Sequence, residues 1–207
     1  MRSNPIIIGI VGGVASGKSE VAKQLVLRGA VHISADELGH SLLNDDPRIH
    51  SEVVALLGVQ VLDRAGKVDR TKIAAMVFGS DAESKSRRTA LEAILHPAIR
   101  KAAEQRVSEL QKHDAVAMII LDAPLLIEAD WVSLCDEIVF VDTPLEMRQR
   151  LAALRGWTIE ELERREAAQV SLDKKRNVAT EILVNDQDVE RLREKCDALF
   201  QKLMFNP

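Results

Sequence analysis

The chain has 207 residues, enough for one full domain with appended subdomains and a substantial buried core. With 46% hydrophobic and 29% charged residues it reads as an ordinary globular protein, and a net charge of −4 leaves no polybasic footprint for DNA, RNA or an anionic membrane. Aromatics at 3%, with no Tyr, argue against stacking platforms for single-stranded nucleic acid; no apolar run approaches the ~20 residues of a membrane-spanning helix. Cys135 and Cys196 show no metal or redox spacing, so two idle thiols in a reducing, cytoplasmic setting are expected.

The first element is Ile6-Ile7-Ile8-Gly9-Ile10-Val11, an apolar β-branched run that reads as a buried strand. It opens directly into Gly12-Gly13-Val14-Ala15-Ser16-Gly17-Lys18-Ser19, which fits G-x-x-x-x-G-K-[ST], and a helical pattern through Val21, Ala22 and Leu25 follows. Strand, Gly-rich loop and helix together predict binding of a nucleoside triphosphate. Gly12 and Gly17 can adopt backbone angles that let main-chain N–H groups approach an anion, and the helix N-terminus aims at the same point. Lys18 is expected to reach the β- and γ-phosphates, and the Ser19 hydroxyl to face Mg²⁺.

The helix should end near Arg28, with Gly29 as its cap, before a short strand at Val31-His32-Ile33 closes a βαβ unit. Asp36 comes next, at the carboxyl end of that strand, where open α/β sheets bind ligands. A helix is expected from Glu37 on, so Asp36 reads equally well as a carboxylate beside the loop or as an N-cap. From Leu42 to Lys112 the pattern is mostly helical. One helix starts at Pro47 and stops before Gly58, and another runs from Asp69 through Phe78. After a break at Gly79-Ser80-Asp81, a long helical pattern from Ala82 to Gln111 should be interrupted at His96-Pro97. This is more chain than a strand crossover needs and predicts a separate helical subdomain, with His96 buried at a helix junction.

Val116 to Leu121 is apolar on both faces and ends in Asp122, the pattern of a buried parallel strand with a candidate Mg²⁺-linked carboxylate at its tip. Glu137 to Asp142 repeats the pattern, and Thr143-Pro144 starts a helix. From Leu145 to Thr180 the chain is helical and locally basic, with Arg148, Arg150, Arg155, Arg164, Arg165, Lys174, Lys175 and Arg176. Most of these read as a solvated face, and two or three as a lid closing over the triphosphate. Ile182 to Asn185 is a last short strand, and Val189 to Leu203 an amphipathic helix.

Over nearly its whole length the chain resembles the dephospho-CoA kinases. Gly12 to Ser19 matches the family's G-G-I-G-S-G-K-S, and Ser34-Ala35-Asp36-Glu37-Leu38-Gly39-His40 its D-A-D-x-x-x-H. Leu95-His96-Pro97 matches L-H-P, and Asp122-Ala123-Pro124-Leu125-Leu126-Ile127-Glu128 matches D-x-P-L-L-[FIV]-E. Gln169, Lys175, Ala179 and Asn185 fall on the family's pattern near the C-terminus. Departures are Ser34 for the first Asp, Glu20 for a common Thr, Thr180 for an Asp, and lid arginines at Arg150 and Arg155 rather than four apart.

The resemblance implies an α/β P-loop NTPase three-layer fold with a five-stranded parallel sheet, a helical substrate-binding subdomain and a helical lid. The core is expected at about 1–36, 113–144 and 181–207, the substrate-binding helices at about 37–112, and the lid at about 145–180. It also implies transfer of the ATP γ-phosphoryl to the ribose 3′-hydroxyl of dephospho-CoA. Asp36 would be the general base and Lys18 the phosphate clamp. ATP contacts would come from Gly12, Gly13, Val14, Ala15, Ser16, Gly17, Lys18, Ser19, Glu20, Arg150 and Arg155, and Mg²⁺ contacts from Ser19 and Asp122. No nucleic acid or membrane partner is expected, and the chain should be a cytoplasmic monomer or weak homo-oligomer. On the residues alone two rivals stay open: another small kinase acting on a nucleoside monophosphate or small alcohol, and a nucleotide-binding regulatory protein.

Overall fold

The apolar run that opens the chain becomes the central strand of a five-stranded sheet. The sheet contains β1 (Ile6–Gly12), β2 (Val31–Ser34), β3 (Met118–Asp122), β4 (Glu137–Asp142) and β5 (Glu181–Val184), in the order β2-β3-β1-β4-β5, with every pair parallel. The helices are α1 (Lys18–Val26), α2 (Ala35–Asp45), α3 (Pro47–Leu57), α4 (Arg70–Val77), α5 (Ala82–Leu110), α6 (Leu145–Ala153), α7 (Ile159–Ala167), α8 (Leu172–Asn177) and α9 (Val189–Phe205). This computed structural model describes residues 4–79 and 81–205. The break expected at Ser80 and the outermost residues of the core ranges, 1–3 and 206–207, lie outside the described residues.

The chain divides into two compact units, one formed by residues up to Ser34 and from Val107 on, the other by Ala35–Arg106. In the first, Ile6, Ile8 and Ile10 pack with Val21 and Leu25 of α1 and Leu192, Cys196 and Leu199 of α9. Burying β1 on both faces accounts for its unbroken apolar sequence. The opposite face of β1 comes so close to its cover that a Cβ on Gly9 would stand 2.8–2.9 Å from Ile138 Cδ1, Cys135 Sγ and Leu126 Cδ1. Cys135 is half-buried and Cys196 buried, and desolvation raises their thiols to about 12 and about 11, so neither is a thiolate near neutral pH.

In the second unit, α3 and α4 carry explicit start signals. Asp46 accepts from the Arg48 and Ile49 amides at 2.9 and 3.1 Å, with Pro47 at the first helical position, and Asp69 accepts from Thr71 at 2.8 Å. The core of this unit gathers Leu43, Ile49, Val53, Leu57, Ile73, Val77 and Leu91.

Two expectations are corrected here. α5 runs unbroken through Pro97, and His96 is exposed rather than buried at a junction. Proline removes the N–H that would have served the Ala93 carbonyl, but Ala93, His96 and Pro97 all face solvent, where water can take that bond. α2 starts at Ala35, so Asp36 lies inside its first turn and is not the N-cap.

Gly9→Ala should lower the unfolding free energy by about 1–3 kcal/mol, because the added methyl must displace three packed side chains. Urea denaturation of the variant against wild type, followed by circular dichroism, measures this.

Candidate active site

The loop leaving β1 is held at the carboxyl edge of the sheet by its own backbone and by two neighbours. Ser16 N–H donates to the Gly13 carbonyl at 3.2 Å. The Ser16 carbonyl accepts from Thr143 Oγ1 at 2.7 Å and from Asn185 Nδ2 at 3.0 Å, which tie the loop to the ends of β4 and β5. Glycine is required at two places. A Cβ on Gly12 would sit 2.8 Å from the Val141 carbonyl, and Gly17, at φ +88°, would collide with Asn185 Nδ2 at 2.7 Å. Ala15 takes a left-handed φ of 58° and is buried against Ala152 and Leu162. The amides of Val14, Ala15 and Gly17 donate to no acceptor among the described residues, and the buried Ser16 Oγ has no partner either. Unpaired donors in a buried loop at a helix N-terminus form a receptor for an anion.

Positive charge is concentrated on the same loop. Lys18 Nζ donates to the carbonyls of Gly12 and Gly13 at 3.3 and 2.7 Å, and Lys175 Nζ, from α8, donates to Gly12 at 3.3 Å and to Gln169 Oε1 at 2.6 Å. Two ammonium groups therefore share one carbonyl. Burial first, and then the Lys175 ammonium with smaller contributions from Arg155 and Arg148, brings Lys18 down to about 8, against the pull of the Asp122 carboxylate. Lys175 is lowered mainly by burial, opposed by Glu128 and Glu166. An ammonium disfavoured first by burial and then by like charge is stabilised when an anion is brought to it.

Of the residues expected at the site, Gly12 to Ser19 form the loop and first turn of α1, with Lys18 half-buried and Ser19 exposed. Asp122, at the tip of β3, is near enough for its charge to act on Lys18; it is hydrogen-bonded to His32 Nε2 at 3.3 Å. Glu20 receives a bond from Gln24 Nε2 at 2.7 Å within α1. Arg155 bears on Lys18 electrostatically and lies 5.4 Å from the Trp157 ring. Arg150 is exposed, with no side-chain partner among the described residues. Asp36 is exposed in the second unit, two residues beyond the end of β2.

Sequence reasoning left several residues without a role. Lys175, Gln169 and Asn185 fell on a family pattern but had no assigned contact. Arg148 stands among the basic residues of 145–180 that had no individual role, yet it is 5% exposed. The available signal was spacing: Arg148 stands four residues before buried Ala152, on the inner face of α6.

A family profile described as dephospho-CoA kinase matches residues 6–191. A dephospho-CoA kinase of Rhodopirellula baltica is 38% identical over 187 residues, covering 90% of this chain and 86% of the relative. A crystal structure from Thermus thermophilus is 33% identical and superposes with a TM-score of 0.77 over 97% of this chain and 98% of that one. A dephospho-CoA kinase from Campylobacter jejuni shares the fold at a TM-score of 0.72, with 22% identity over 96% of each chain.

The depressed Lys18 fixes a pH dependence. Its folded value of about 8 lies below the ordinary 10.5, so charged Lys18 lowers stability below about pH 8, and the penalty is relieved as pH rises from about 8 towards 10.5. A bound polyphosphate reverses the shift. Calorimetric titration with ADP at pH 8, in buffers of different ionisation enthalpy, should therefore register uptake of up to about half a proton, which fades towards pH 6.5 and disappears in Lys18→Met.

Proposed function

The chain belongs to the dephospho-CoA kinase family, and on that premise we propose which of its own residues carry the reaction. The enzyme transfers the γ-phosphoryl of ATP to the ribose 3′-hydroxyl of dephospho-CoA, the final step of coenzyme A biosynthesis.

The loop amides and the α1 N-terminus cradle the phosphates of ATP, with Ser16 Oγ available as a further donor and Glu20 beside the loop on α1. Lys18 exchanges its bonds to the loop carbonyls for β- and γ-phosphate oxygens and becomes fully protonated as it does so. Arg155, with Arg150 from the same lid segment, adds charge on the outer side. Asp36 accepts the proton of the acceptor hydroxyl as the new P–O bond forms and the bond to the departing ADP breaks. The helices between Asp36 and Pro97 hold dephospho-CoA. The observation that carries the phosphate assignments is the convergence of Lys18 and Lys175 on the Gly12 carbonyl, beside amides that meet no acceptor among the described residues. Preorganised positive charge of this kind is what phosphoryl transfer uses, because little of the chemistry is covalent to the protein.

Mg²⁺ would neutralise charge on the β- and γ-phosphates. The donors that fit it are the Ser19 hydroxyl, exposed at the start of α1, and the Asp122 carboxylate, both hard oxygens. An ion held largely by phosphate and water needs no larger protein cage, and among the described residues no group of three or more His, Cys, Asp or Glu is gathered. A cytoplasmic monomer or weak homo-oligomer suffices for the activity, since loop, cations and carboxylates all belong to one chain. None of the described helices is long and apolar enough to cross a membrane.

Coupled ADP release should depend on dephospho-CoA in wild type. In Asp36→Asn it should fall by about 10²–10⁴ in kcat while ATP affinity is retained. A variant that keeps its rate would remove Asp36 from the role of base.

A further inference from the structure

One charge relation at the loop is used by none of these steps. Arg148 of α6 is buried, and its Cδ and Nη1 lie 3.0 Å from where a Cβ on Gly13 would stand. Its Nε donates to the Thr143 carbonyl at 3.2 Å, and its Nη1 donates to Oε1 of Glu166 in the last turn of α7. Glu166 in turn lines a cavity of about 380 Å³ beside Gly13, Val14, Gln169 and Lys175, and it is the one carboxylate among the lining residues. The same carboxylate, with Glu128, opposes the burial that lowers Lys175, so its charge acts on two cations of the cradle.

A carboxylate on that wall has a consequence for any polyphosphate laid along the loop. It occupies a guanidinium that would otherwise pair with the incoming phosphate. Phosphate is the more highly charged partner and accepts the same fork of N–H donors. Giving up Glu166 for phosphate therefore leaves Arg148 paired with an anion. We propose that Glu166 is a built-in counter-ion that competes with the nucleotide's polyphosphate for Arg148 and so sets the affinity of the loop for ATP and ADP. The inference rests on the nucleotide placement given above. Arg148 is then a phosphate-binding residue, and Glu166 a positioning residue that acts through it.

The test is ADP titration at low ionic strength, with steady-state kinetics, on Glu166→Gln, Arg148→Met and the double variant. Glu166→Gln should bind ADP at least about fivefold tighter and lower the KM for ATP, with kcat falling as ADP leaves more slowly; added salt should shrink the gain. Arg148→Met should bind ADP at least about fivefold more weakly, and the double variant should show no gain over Arg148→Met. Glu166→Asp, which keeps the charge, should remain close to wild type. A pair serving merely to pin α6 to α7 would weaken binding, or leave it unchanged, whichever partner is removed. Opposite signs for the two single variants are therefore the required result. Unchanged or weaker ADP binding in Glu166→Gln overturns the proposal, as does a gain that survives in the double variant or an unaffected Arg148→Met. Glu166→Ala repeats the comparison should the glutamine variant fold poorly. If wild type binds no ADP, the nucleotide placement itself fails; if wild type binds and Glu166→Gln shows no gain, this proposal fails alone.

Discussion

Burying like charge against a backbone loop is the constraint on which the rest of the site depends. Lys18 and Lys175 reach the same carbonyl, and Arg148 lies against the next residue of the loop. In a low-dielectric setting such a cluster is unstable unless charge is returned to it. Asp122, Glu128 and Glu166 return part of it, each from a different element: the tip of β3, the segment after it, and α7. Compensation is incomplete: burial first, and then the neighbouring cations, hold Lys18 at about 8 against the pull of Asp122. The remainder is available to a polyanion, so binding energy and folding cost are two readings of one arrangement.

That arrangement is useful only if the loop cannot relax around its own lysines. Two side-chain donors converge on the Ser16 carbonyl from the ends of β4 and β5, and a further bond from the Val170 amide to Glu128 Oε1, at 2.8 Å, fastens the α7–α8 link. Each anchor comes from a strand end or from chain tied to one. The parallel sheet thus does the positioning that a flexible loop could not do for itself, and the donors need little reorganisation when charge arrives. The two glycines with no room for a Cβ mark where this fastening is tightest.

What could be read from the sequence, and what could not, follows from the range of the interactions. β1, the loop and α1 were legible because the signal is local: a doubly buried strand must be apolar throughout, and a phosphate loop must place its glycines at fixed intervals. The strands ending at Asp122 and Asp142 were legible for the same reason. Pro97 misled because its effect on a helix depends on whether water reaches the freed carbonyl, and exposure is a tertiary property. Asp36 moved from cap to first turn through a shift of two residues in a helix start, a distance no propensity resolves. Arg148 was least legible: an arginine on an apolar helix face looks like an exception until Glu166, 18 positions on, is seen beside it.

Attraction that ATP and ADP feel equally lowers KM without raising kcat, and it slows the departure of product. A cradle carrying Lys18, Lys175, Arg148 and Arg155 without counter-ions would err in that direction. Carboxylates set among the cations trim the uniform part. Lys18 behaves differently in the proposed cradle, because it bonds the Gly12 and Gly13 carbonyls and its pKa of about 8 would rise against phosphate oxygens. A lysine so poised adds most where negative charge is greatest, at the β- and γ-positions in the course of transfer. Partial compensation is therefore better suited to turnover than either a neutral loop or a fully positive one.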